Sequence, residues 1–191
     1  MMFTYPRKLF SKLLSVALAT LLLACTDNEA QFQQAVTAYE TGNYSEALRL
    51  WKPLAEQGDA DAQRNLGLMY YNGQGVAQND QQAFAWYQKA ANQGLAGAQY
   101  NLGMMYYTGQ GVAQNHQQAV AWWQKAANQG DIEAQYNLGN IYIIAQDHQK
   151  AIAWWQKVLA QPDTPENAEI KASVRRGFQA FKDAGIYAGI Y

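Results

Sequence analysis

Cysteine is nearly absent. Cys25 stands alone among 191 residues, so no disulfide can form within the chain and packing must hold the fold. Histidine is scarce too, with only His116 and His148. Beyond Cys25 the only serines are Ser45 and Ser173. Neither opens Ser-x-x-Lys and no Gly-x-Ser-x-Gly occurs, so the usual serine-nucleophile signatures are missing. There is no His-Glu-x-x-His, phosphate loop or calcium loop. Basic residues are outnumbered beyond the start. With Arg7, Lys8 and Lys12 set aside, 11 basic residues face 15 acidic ones. That balance argues against nucleic acid, whose binding needs grouped Lys and Arg to displace counterions. Only four prolines interrupt a chain that is 49% hydrophobic.

The longest apolar run, Leu13 to Ala24, follows the basic stretch Met1 to Lys12. As a helix it would span about 18 Å, short of a roughly 30 Å hydrocarbon core. It reads as the apolar region of a signal peptide, residues 1–24. Leu22-Leu23-Ala24-Cys25 then resembles the lipobox of bacterial lipoproteins. That resemblance implies lipidation of Cys25, with residues 25–28 as a short linker. Thr26, rather than Asp, implies the outer membrane and a protein facing the periplasm. A plain cleavable signal with an incidental cysteine is the alternative.

What is abundant is repetition. The block 62–97 matches 98–133 at 27 of 36 positions, and Ala134-Gln-Tyr-Asn-Leu-Gly139 starts a third copy. Each block holds two helical patterns. Ala98, Leu102, Met105 and Tyr106 make one face of a helix A, and Ala119, Trp122, Trp123 and Ala126 one face of a helix B. Gly109-Gln-Gly-Val112 lies between them, where glycine permits turns other residues resist. Asn79-x-x-Gln82 and Asn115-x-x-Gln118 read as capping boxes. Gly94 and Gly130 follow helix B where a left-handed cap belongs. Asp59 and Asp131 read as caps of helix A rather than catalytic acids, and His116 and His148 as solvated residues at the start of helix B. Tyr70, Tyr106, Tyr142, Trp86, Trp122 and Trp154 are expected in the core.

The residues Ala62, Leu66, Gly67, Tyr70, Gly73, Gly75, Val76, Ala83, Trp86, Ala90, Ala91 and Gly94, with their equivalents 36 positions later, resemble the Sel-like repeat. This is the glycine-rich branch of the tetratricopeptide repeat superfamily. The resemblance implies an all-α, right-handed α-α superhelix over residues 29–161. Its units would be about 29–58, 59–94, 95–130 and 131–161. Beyond Pro162 and Pro165, the spacing of Ile170, Val174, Phe178 and Phe181 predicts an amphipathic capping helix within 162–184. Its wet side would carry Lys171, Arg175, Arg176 and Lys182. Residues 185–191 form a tail, read as frayed or as an apolar strap.

A second stripe on helix A is not needed for the core. It comprises Tyr100, Met104 and Tyr107, with Arg64, Leu68 and Tyr71 before it and Tyr136, Asn140 and Ile143 after it. In the first unit it is Phe32, Val36 and Tyr39. By the resemblance these positions line a concave groove that contacts bound chains, here across four repeats. An exposed apolar patch of this kind marks an interaction site. The expected function is non-enzymatic protein–protein interaction without a cofactor or metal. The protein would be a lipid-anchored, monomeric envelope adaptor, scaffold or toxin-immunity-type protein. The alternatives are a peptidoglycan or carbohydrate binder, or a cell-wall or β-lactam hydrolase. Hydrolase activity is ascribed to secreted relatives with paired cysteines in each repeat, which this chain lacks.

Overall fold

The computed structural model describes residues 27–186. The signal peptide, Cys25, Thr26 and most of the tail lie outside the described residues. Among those described, every regular element is a helix. After α1 (residues 27–40) come α2 (Tyr44–Gln57), α3 (Ala60–Asn72), α4 (Asp80–Asn92), α5 (Ala96–Thr108), α6 (His116–Asn128), α7 (Ile132–Ile144), α8 (His148–Ala160) and α9 (Ala168–Asp183). The pairs α1/α2, α3/α4, α5/α6 and α7/α8 are the four helix A/helix B repeats, and α9 follows as the C-terminal helix. None of the described helices is long and apolar enough to cross a membrane. The chain divides into two units, Met1–Gln78 and Asn79–Tyr191.

Local sequence sets the helix ends. Asp59 and Asp131 accept from Ala62 N and Ala134 N, and Asn79 and Asn115 from Gln82 N and Gln118 N. Each cap satisfies a backbone donor with no intrahelical partner. The expected capping box is only half formed at α6. The Asn115 N–H that Gln118 would have accepted donates instead to Tyr106 O at 2.8 Å. Gly94 and Gly130 both stand at φ +96, as their place after helix B requires.

Alanine dominates the core because the helices approach closely. In the first unit α2 and α3 pack through Ala47, Leu50, Trp51, Leu54, Ala62, Leu66 and Met69, all buried. In the second unit α5 lies against α4 and α6, and α7 against α6 and α8. Gly103 and Gly139 make the approach possible. A Cβ on Gly103 would stand 2.5 Å from Trp123 Cδ1, and one on Gly139 would overlap the Trp155 indole.

A glutamine repeats with the fold. Gln63, Gln99 and Gln135 are each 5% exposed. Their Nε2 groups donate to the carbonyls of Ala55, Ala91 and Ala127. These carbonyls close a helix B, and each also accepts a backbone N–H from the glycine that follows, Gly58, Gly94 or Gly130. In the second unit the ladder continues. Gln129 donates to Gly94 O and Gln99 Oε1, and Gln161 to Gly130 O and Gln135 Oε1. Neighbouring repeats are thus stitched by buried, paired amides, which is the condition for burying such groups at all.

Three core expectations need correction. The six aromatics expected inside are only half-buried, and Tyr87, Trp123 and Trp155 are buried instead. On α6 the buried face is set by Ala119, Ala126 and Ala127. At 100° per residue Trp123 points into it while Trp122 falls well to the side. Lys171 was expected on the wet face of α9, yet it is 2% exposed. Its ammonium donates to Gln161 O and meets Asp163 Oδ1 at 2.5 Å, tying α9 to the preceding loop. Finally, His148 is half-buried, its ring 5.2 Å from that of Phe181, because α9 reaches the start of α8.

The tie at Asp163 makes a pH prediction. The hydrogen bond from Lys171, then its charge, holds the Asp163 carboxyl below its ordinary value of 3.8. A group depressed in the folded state contributes stability in full above its unfolded value. That contribution is lost as pH falls through the folded value. Asp163→Asn is expected to flatten the fall of melting temperature on acidification below 3.8, followed by circular dichroism. An unchanged slope would refute the role.

Candidate functional site

The twelve predicted groove residues are all half-buried, neither sealed in the core nor free in solvent. In the first unit, Phe32 and Tyr39 lie over Trp51, with ring centroids 6.1 and 5.4 Å away. The Tyr39 hydroxyl donates to Gln74 at 2.7 Å. Val36, Leu68 and Tyr71 complete the stripe there. Arg64 turns its guanidinium onto Asn65 at 3.3 Å.

In the second unit, α5 and α7 bring Met104, Tyr107 and Asn140 together. With Trp123, Asn137, Ile141 and Ile144 they line an open hollow of about 150 Å³. Tyr107 forms one wall, stacked 4.9 Å from the His116 ring and 5.4 Å from Trp123. The floor is mixed. Asn137 Nδ2 lies 3.5 Å from Met104 Sδ, and its amide also bonds the Tyr100 hydroxyl. Burial, then the charges of Glu133 and Asp131, raises the Tyr100 hydroxyl above its ordinary value. Ile144, 74% exposed, forms the rim.

The last unit departs from the expected stripe. Tyr136 and Ile143 pack against the cluster of Trp155, Val158, Val174, Phe178 and Phe181. Helix α9 therefore takes up these two positions, and the hollow ends at Asn140 and Ile144. Sequence spacing missed Asn137, Ile141 and Ile144. Asn137 repeats as Asn65 and Asn101, a 36-residue signal that could have marked it. Ile144 carries no such signal, since Thr108 and Asn72 hold its place. Among the described residues no three of His, Cys, Asp or Glu are grouped to hold a metal ion.

Residues 29–59, 60–95, 96–131 and 132–160 each match the Sel1 repeat. The chain belongs to the Sel1 repeat family. A Sel1 repeat protein from Oxalobacter formigenes is similar at TM-score 0.71 and 30% identity, over 81% of this chain and 61% of that one. A protective antigen present in uropathogenic Escherichia coli strains, displaying an SLR fold, is similar at TM-score 0.75 and 31% identity. That match covers 88% of this chain and 36% of the other. The chain thus spans less than two thirds of either relative. No curated protein matches it. Sel1 repeat proteins are in general protein-interaction scaffolds rather than enzymes.

Proposed function

We propose that this Sel1 repeat chain is a lipid-anchored envelope adaptor that holds a partner protein in the hollow of its second unit. The observation that carries this is the hollow itself. Met104, Tyr107, Ile141 and Ile144 offer an apolar surface, and Asn137 and Asn140 supply amides for orientation. Small apolar sites with a few placed polar groups are how side chains of a partner are received. The lipid anchor at Cys25, and a position at the outer membrane facing the periplasm, rest on the Leu22-Leu23-Ala24-Cys25 motif.

The test uses the exposed rim residue Ile144 with the half-buried Met104 of the floor, because Tyr107 supports Trp123 and cannot be truncated without loosening the core. Ile144→Asp combined with Met104→Gln is expected to lower partner retention from envelope extract by at least about tenfold, near 1.4 kcal/mol. The melting temperature should shift by only a few degrees. Retention equal to the parent's would overturn the site. Cys25→Ser should abolish acyl labelling and release the chain from membranes, and continued labelling would overturn the anchor.

A further inference from the structure

Beyond the groove, the opposite helices of the second unit carry a repeated pair. Lys89, Lys125 and Lys157 hold their ammonium groups 3.9, 3.7 and 3.9 Å over the rings of Trp86, Trp122 and Trp154. The three lysines are exposed, the three indoles half-buried. None of these lysines has an ion-pair partner among the described residues, where the pairs formed are those of Arg49, Lys150, Lys171 and Arg175.

The surrounding surface is equally one-sided. α4, α6 and α8 contain a single carboxylate, the half-buried Asp80 at the start of α4. Yet the chain beyond Cys25 has more acidic than basic residues, and these three helices carry only that one. The position one turn before each lysine is an exposed alanine, at 85, 121 and 153. No large side chain stands between the lysines and an approaching surface.

We propose that this face of α4, α6 and α8 docks on an anionic lipid surface. Each pair offers an apolar lysine stem lying on an indole, with the charge at its tip. That arrangement suits the headgroup layer, where anionic groups overlie hydrocarbon and where tryptophan and lysine accumulate. The indole also pins the ammonium, so less side-chain freedom is lost on docking. A lysine near an anionic bilayer contributes about a fivefold gain, and three together on the order of 100-fold.

The full chain, reconstituted into vesicles, tests this. Tryptophan quenching by brominated lipid is compared in pure phosphatidylcholine and in phosphatidylcholine with phosphatidylglycerol. Strong quenching is expected only with phosphatidylglycerol, and it should decline with salt. In the triple variant K89Q/K125Q/K157Q it should be lost, while helicity and partner retention are kept. Equal quenching in both lipids, or in parent and variant, overturns the proposal. So does lysine-dependent capture of a soluble acidic polymer without quenching by the lipid, which would assign the face to an extended anionic chain.

Discussion

Trp123→Ala is expected to cost about 3–5 kcal/mol, the range for removing a large buried aromatic without collapse of the site. Trp123 is 2% exposed. Its indole edge fills the space that Gly103 leaves open, and its Nε1 donates to Tyr100 O at 3.2 Å. Its face carries Tyr107, which walls the candidate groove. Fold and site therefore fail together: the variant should unfold at lower denaturant and lose its partner even where it is folded. Trp123→Phe separates the contributions. It keeps most of the packing but gives up the hydrogen bond, worth about 1 kcal/mol net. Denaturant unfolding of the parent and both variants measures the difference. If Trp123→Ala cost less than about 1 kcal/mol, the site would be one that can collapse, and Trp123 would not be the element coupling core to groove.

The second large effect is expected at Gly111, and its meaning lies in a comparison with Gly130. Both have positive φ, +69 and +96, so an L side chain is strained at either by roughly 1–2 kcal/mol. The surroundings differ. A Cβ at Gly130 meets nothing within 4 Å, whereas one at Gly111 would run into the backbone carbonyl of Asp80. A carbonyl held at the start of α4 cannot swing aside as a long side chain can, so overpacking adds about 1–3 kcal/mol. Gly111→Ala should therefore lose about 2–5 kcal/mol and Gly130→Ala only about 1–2 kcal/mol, by the same unfolding measurement. Equal losses would show that the second glycine of the Gly-Gln-Gly-Val turn serves only the turn. The larger loss would show that it also seats the loop against α4.

The same comparison explains what the Gly-Gln-Gly-Val segment does in the two central repeats. The outer repeats connect their helices through three residues, at 41–43 and 145–147. They reach the left-handed region at Gly42 and, unusually, at Gln146 with φ +58. The longer loops at 73–79 and 109–115 bring a glycine against a backbone instead. In the first unit Gly75 lies against Tyr44, with 2.6 Å from a built Cβ to Tyr44 O. The insert is thus a packing element as well as a connection.

What the sequence by itself determined is the part governed by local periodicity. The 36-residue repeat, the pairing of helices, the Asp59, Asn79, Asn115 and Asp131 caps and the final amphipathic helix all depend on residues within a turn or two of each other. Chain spacing states such relations directly. The family could be read for the same reason, because its glycines and alanines mark close approaches that recur at one interval. Only the tertiary structure decided between side chains one position apart. Trp122 and Trp123 differ by 100° around α6, and the place of α5 and α7 selects which is buried. Likewise Lys171 looks solvated on an isolated α9, but the loop of Gln161 and Asp163 closes over it. Tyr136 and Ile143 share the spacing of Tyr100 and Tyr107, yet α9 packs where a fifth repeat would. Burial at those sites is set by a neighbour distant in sequence, and no periodicity within a helix records which neighbour comes.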